Sequence, residues 1–223
     1  MMILYLVRHG IAVDRDDPDC PPDPERPLTP AGIKKCRAAA RGFRALNIKP
    51  DLVLSSPWLR AVQTADIFCE EIGYSVKDIV RNNALKGTSN PAELFSELAK
   101  IKATKRVACF GHEPHLHLAI GYLLHMKDAR VAELKKAGMA CLQLDRLSPP
   151  QGRLLSFYPA KALRLLESSL NSLMRINFPF IASISTLAGI IGRRMRFSAI
   201  FSADFLRLAK APNSLPRSHS TLL

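Results

Sequence analysis

The sequence predicts an α/β sandwich of three layers, with a mainly parallel central sheet flanked by helices. Three observations predict it. Short apolar, β-favouring runs recur along the first 160 residues, amphipathic stretches at helical spacing separate them, and three of the runs stop at Arg-His-Gly, Ser-Ser-Pro or Gly-His. Strands that alternate with helices are the pattern of parallel sheets covered on both faces.

The first run, Ile3–Val7, has no polar alternation and reads as a strand buried on both faces. Residues 14–27 are rich in Asp and Pro and read as a surface loop. Thr29-Pro30 is an N-cap followed by proline at the first helical position. Ile33, Cys36, Ala40, Phe43 and Leu46 then follow at helical spacing, which leaves a basic outer face. The pattern repeats with a strand at Leu52–Leu54, Ser56-Pro57 as cap and proline, and a helix over 57–73. Asn90 and Pro91 open a third helix over 91–102. Val107–Phe110 is a further strand, followed by a helix around 115–126. Ala140–Leu144 and Leu154–Tyr158 read as a closing hairpin.

The composition is that of a soluble globular chain: 223 residues, 48% hydrophobic and 23% charged. It excludes a wholly disordered chain, a collagen-like repeat and a disulfide scaffold. Neither a GxGxxG nor a GxxxxGK[ST] loop occurs, so nucleotide-binding readings that depend on those loops lose their support. The formal charge of +13 favours anionic partners without choosing among them. Residues 1–163 carry 24 basic and 17 acidic side chains, and residues 164–223 carry 8 and 2.

The expected organisation is one domain over 1–163 and a basic, partly apolar extension over 164–223. Within the extension, Ile176–Gly192 holds no charge and precedes Arg193-Arg194-Met195-Arg196. At 17 residues it is marginal as a span. Contact with anionic lipid is a minor alternative to a packed helix or a poorly ordered tail. The five cysteines, Cys20, Cys36, Cys69, Cys109 and Cys141, form no CxxC pair and suit free thiols in a reducing compartment. The apolar start is cut short by Arg8 and His9, unlike a signal peptide, so a cytoplasmic location is expected.

Arg8-His9-Gly10, Ser55–Arg60 and Gly111-His112 each follow a predicted strand. Ligands of open α/β sheets bind at the carboxyl ends of strands. Three such ends can deliver two arginines and two histidines to one crevice. Arginine presents a planar fork of donors that matches phosphoryl oxygens. A neutral histidine can attack phosphorus, and a second can donate a hydrogen bond or a proton. Arg60 also falls in the first turn of its helix, where the dipole favours an anion.

At these residues the sequence resembles the histidine phosphatase superfamily, which includes the phosphoglycerate mutases. Leu6-Val7-Arg8-His9-Gly10 is similar to its signature. Arg26-Pro27-Leu28-Thr29-Pro30-Ala31-Gly32 is similar to its LTxxG helix start, Ser56–Ala65 to its SPxxRAxQTA segment, and Gly111-His112-Glu113-Pro114 to its last histidine segment. The short core, the RPLT stretch and the lack of an inserted cap resemble the small phosphohistidine phosphatases of the SixA type. The resemblance implies a phosphoglycerate mutase-like fold with His9 as nucleophile. Arg8, Arg60 and His112 would hold the phosphoryl oxygens, and Arg26 would assist at the rim.

Many phosphomonoester-cleaving members carry a carboxylic acid near the start of the 82–90 stretch. Here Asn82–Asn90 contains no Asp or Glu. An alkoxide leaving group needs protonation, whereas imidazole leaves readily once its ring is protonated. The expected activity is therefore hydrolysis of phosphohistidine on a protein, such as a phosphotransfer domain of a signalling relay. A phospho-His9 intermediate would form, with no cofactor and no metal. An acid drawn from Asp14, Asp16, Asp17 or Glu113 is the alternative source.

The runner-up is a phosphatase of small phosphomonoesters. A reading of another class is a phosphoprotein-binding adaptor without turnover. His115 and His117 do not complete an HExxH motif and read as structural. Basic stretches such as Lys34-Lys35 with Arg37 and Arg41, or Lys100, Lys102, Lys105 and Arg106, lack interleaved aromatics. Nucleic acid is not expected as a partner. A monomer is expected.

Overall fold

The computed structural model describes residues 1–101 and 105–166. Six strands form one sheet: β1 (Met2–Arg8), β2 (Leu52–Ser55), β3 (Val80–Arg81), β4 (Arg106–Gly111), β5 (Met139–Leu147) and β6 (Pro150–Tyr158). Their order is β3-β2-β4-β1-β5-β6. The first four in that order run parallel, and β5 and β6 add an antiparallel hairpin beside β1. The fold is the expected α/β sandwich, with helices α1 (Pro30–Ala45), α2 (Leu59–Ile72), α3 (Pro91–Lys100) and α4 (His115–Leu124).

The apolar runs lack polar alternation because both faces of the sheet are covered. Tyr5, Val7, Val53, Ala108 and Phe110 join Cys36, Phe43 and Phe68 of α1 and α2 in one core. Leu4, Leu6, Leu54, Val107 and Cys109 join Leu94, Phe95, Leu116 and Ile120 of α3 and α4 in the other. The period of two along a strand deals successive side chains to opposite layers. On the first face Phe43, Phe68 and Phe110 pack edge to face in series.

Local signals act as read in the sequence at α1 and α3. Thr29 Oγ1 accepts from the Gly32 amide at 3.0 Å, and Asn90 Oδ1 from the Ala92 amide at 2.9 Å, each followed by proline. The basic face of α1 is partly neutralised: Arg37, Arg41 and Arg44 pair with Glu70 or Glu71 of α2.

Three details differ from the sequence reading. The second helix starts at Leu59, not Pro57, and Ser56 does not cap it. The two-residue β3 is too short to leave a periodic signal. The closing hairpin is longer than expected, since Arg146 and Leu147 continue β5 and Pro150 opens β6.

Residues 160–166 are helical, with Leu163 fully buried. A Cβ at Gly42 of α1 would collide with the Leu163 carbonyl, so only glycine admits this approach. The segments expected to form an apolar anchor or basic tail lie outside the described residues. Among the described residues, no helix is long and apolar enough to cross a membrane.

Candidate active site

Adjacent strands β2, β4 and β1 end side by side and bring the three motifs together. The His9 amide bonds to the Gly111 carbonyl at 3.0 Å, and the Ser56 amide to the Phe110 carbonyl at 2.9 Å. Parallel pairing thus continues one residue beyond the strands and sets the spacing of the side chains that follow.

Two neighbouring residues of α2 lock the loops around this crevice. The Gly10 amide donates to Thr64 Oγ1 at 3.0 Å, while Thr64 Oγ1 donates to the Arg60 carbonyl at 2.6 Å. Gln63 Oε1 accepts from the Leu28 amide at 2.7 Å, which ties the Arg26–Thr29 stretch to the same helix. Gly10 is required here, since a Cβ would run into Cys36 Sγ.

His9 is 7% exposed, and its Nδ1 lies 2.7 Å from the Gly10 carbonyl oxygen. A carbonyl only accepts, so Nδ1 carries the proton and Nε2 keeps its lone pair. Arg60 Nε donates to that Nε2 at 3.3 Å. Burial pushes the His9 pKa down to about 3, and the Arg60 charge adds to the effect, opposed by the Gly10 bond. The ring is a neutral base at neutral pH, the form required of a nucleophile.

His112 lies opposite, with ring centroids 5.0 Å apart. Its Nε2 is 2.8 Å from Ser56 Oγ, and its Nδ1 is buried without a hydrogen-bond partner. Burial, then the neighbouring His9 and Arg60, lower its pKa to about 2. Trp58 packs on both partners: its ring centroid is 4.6 Å from that of His112, and the Arg60 guanidinium carbon sits 4.7 Å from its centroid.

Arg60 is almost wholly buried on the second position of α2. Its fork reaches Asp23, with Nη1 2.5 Å from the backbone carbonyl and Nη2 3.3 Å from Oδ2. Arg26 holds the same carboxylate through Nε at 2.8 Å and the Val13 carbonyl through Nη1 at 2.6 Å. Burial raises the Asp23 pKa, but Arg60, Arg15 and Arg26 outweigh it and hold the carboxyl below its ordinary value. Arg8 binds the Leu134 carbonyl at 2.6 Å and Glu133 Oε1 at 3.3 Å through Nη1. Arg8, His9, Arg60 and His112 therefore meet at one place, and Arg26 stands beside them through Asp23.

Glu113 follows His112 but turns away. It accepts from His117 Nδ1 at 2.6 Å and from the Leu134 amide at 2.8 Å. His115 is buried, and burial lowers its pKa to about 4. Asp23, Ser56 as the partner of His112, and the 133–138 turn are contributions that motif reading missed. The Asp23-Pro-Glu-Arg26 spacing was an available signal for the first, since i and i+3 meet in a helical turn. The turn gives no such signal, because it reaches the site only through the placement of β5.

Three of the buried histidines, His9, His112 and His115, imply an acid-sensitive fold. Their folded pKa values lie below the unfolded 6.5, so the unfolded chain binds more protons below that pH. Stability is complete above pH 6.5 and falls as the pH drops towards the folded values. Each histidine is expected to cost on the order of 1–2 kcal/mol by about pH 5. Thermal unfolding midpoints measured between neutral pH and that value test this. A flat profile would contradict neutral burial.

Two arginines and two neutral histidines at the strand ends of an α/β sandwich define a protein built to handle phosphoryl groups. The chain belongs to the histidine phosphatase superfamily: residues 4–86 match the sequence profile of its branch 1. An uncharacterized protein of Picosynechococcus sp. is 31% identical over 143 residues, which span 64% of this chain and 85% of that protein. The fold is similar to that of the protein histidine phosphatase SixA complexed with tungstate, with TM-score 0.65 and 21% identity. That match covers 73% of this chain and 99% of the other. It is also similar to a phosphoserine phosphatase mutant of Entamoeba histolytica in complex with phosphoserine, with TM-score 0.57 and 19% identity over 73% of this chain and all of that one.

Proposed function

We propose that residues 1–163 form a phosphatase that hydrolyses phosphohistidine on a protein. His9 Nε2 attacks phosphorus in line, the P–N bond to the substrate imidazole breaks, and phospho-His9 forms. Arg8, Arg60 and His112 hold the equatorial oxygens and stabilise the charge that develops on them. Arg60 Nε–H leaves the His9 lone pair as the phosphoryl group arrives. Water then attacks phospho-His9 and releases inorganic phosphate, returning the neutral imidazole.

The observation that carries this reading is the state of the carboxyl groups around the pocket. Asn82–Asn90 supplies none, and Gly87 lies against His112 and Trp58. Asp23 and Glu133 are both held below their ordinary pKa: Asp23 by its arginines against the effect of burial, Glu133 by Lys135 and then Arg8. Ionised carboxylates cannot protonate an alkoxide. Glu113 is committed to His117 and the Leu134 amide. A substrate imidazole that brings its own ring proton leaves without such help.

Fold similarity to a phosphoserine phosphatase keeps small phosphomonoesters as the second reading. Comparison of kcat/KM for a phosphohistidyl peptide and an alkyl phosphate, with His9→Ala as control, separates the two. The phosphohistidyl peptide is expected to be favoured by at least about 100-fold, the contribution of a missing general acid. Faster hydrolysis of the alkyl phosphate would overturn the proposal. Binding without any turnover would favour the adaptor.

A further inference from the structure

We infer that Lys136 is a further cation of the phosphoryl pocket, closing its solvent side against the oxygens that Arg8 and Arg60 hold. The inference rests on the reading of the pocket as a phosphoryl site, and its test does not depend on which phosphate is hydrolysed.

The turn before β5 is fastened directly to the signature loop. The Ala137 amide donates to the Arg8 carbonyl at 3.1 Å and to the His9 carbonyl at 3.2 Å, and the Arg8 amide donates to the Gly138 carbonyl at 3.1 Å. The Gly138 amide closes the turn on the Lys135 carbonyl at 2.7 Å. Ala137 is held at φ 60°, a left-handed conformation that a residue with a Cβ rarely adopts. The shared amide bond maintains it. Lys136, one residue earlier, is thereby carried at a fixed place beside Arg8 and His9.

The charges around Lys136 are unevenly matched. Asp23 is shared by Arg15, Arg26 and Arg60. Glu133 is shared by Arg8 and Lys135. Lys136 has no hydrogen-bond or ion-pair partner among the described residues, although Asp14 acts on it from a distance. Desolvation first, then the nearby charges of Arg8, Arg26 and Arg60, depress its pKa, and it acts in turn on His9. His9, Arg26, Arg60 and His112 are buried and Lys136 is exposed, so it stands on the side from which a ligand enters. An unpaired cation among guanidinium groups is unfavourable in the empty site. A phosphoryl dianion reverses that sign, and the flexible ammonium can follow the oxygens as a point charge.

Calorimetric titration of the full chain with inorganic phosphate tests the assignment. Lys136→Met is expected to weaken phosphate binding about tenfold, the lower range for a hydrogen bond to a charged group. Lys136→Arg is expected to restore most of it. Lys135→Met removes the same charge from the same turn, but from a lysine already paired with Glu133, and is expected to change binding less than threefold. Unfolding midpoints of all three variants establish that they fold. Unchanged phosphate affinity in Lys136→Met would overturn the inference, as would equal losses in the two methionine variants. A loss seen only with a phosphoprotein and not with inorganic phosphate would also overturn it, placing Lys136 in partner docking. If phosphohistidine hydrolysis were absent while phosphate binding still fell in Lys136→Met, the substrate assignment alone would fail.

Discussion

His9→Ala is expected to abolish turnover and covalent labelling together, with kcat reduced by at least about 10⁴-fold. The size of the effect follows from the ring's two bonds. Nδ1–H is spent on the Gly10 carbonyl, so the attacking lone pair sits on Nε2, beside Arg60 Nε at 3.3 Å. Among the described residues, no other neutral base is in position to take over. Ser56 Oγ faces the site but is engaged with His112, whose ring has a different orientation and whose Nδ1 is buried. Incubation with a labelled phosphoryl donor, followed by a rapid quench and peptide mapping, should place the label on His9 in the wild type and nowhere in the variant. A phosphoenzyme mapped to any other residue would end the assignment.

Arg60→Ala should be the next most damaging change, lowering kcat/KM by about 10²–10³-fold. Two consequences add here. The phosphoryl group loses a planar, buried donor fork, and the Asp23 carboxylate loses a guanidinium that now offsets its charge. The liberated carboxylate would repel the incoming dianion. Arg60→Lys should recover little, because one ammonium cannot reach both Asp23 and the His9 side, and its smaller head forfeits the stacking on Trp58. The double variant Arg60→Ala with Asp23→Asn separates the two effects: partial recovery relative to Arg60→Ala measures the repulsion. Steady-state kinetics on all three variants reads this directly. Wild-type activity in Arg60→Lys would show that only charge is needed.

The parts legible in the sequence are those in which chemistry and local structure coincide. Arg8-His9-Gly10 and Gly111-His112 stand out because each interrupts an apolar run abruptly, and a buried strand followed at once by polar residues marks an exit from the sheet. Thr29 and Asn90 are legible as caps because their bonds are made within three residues. Ser56 misleads for the same reason. It has the composition of a cap, but its hydroxyl is engaged by His112, 56 residues away, and the helix opens only at Leu59.

The contacts of Arg8 with Glu133 and Leu134 span 125 and 126 residues. They exist only because β5 pairs antiparallel with β1, a choice that no local periodicity encodes. Asp23 shows a milder form of the limit. Its spacing to Arg26 is visible, whereas its bond to Arg60 depends on how the Pro-rich loop crosses α2.

The side-by-side ends of β2, β4 and β1 separate what this protein does from what it does it to. The distance between His9 and the residues after β4 is set by the repeat of the sheet, and a slip of one residue would move a motif by about 3.3 Å and turn its side chains over. The reaction is therefore inherited with the scaffold. The 14–27 and 82–90 segments approach the same point from elsewhere and are under no such quantisation, whereas the 133–138 turn continues the β1–β5 ladder and shares its register. Such an arrangement lets one lineage keep a single piece of phosphorus chemistry while its recognition loops diverge independently, so paralogues with unrelated cargo can share an interior that hardly changes.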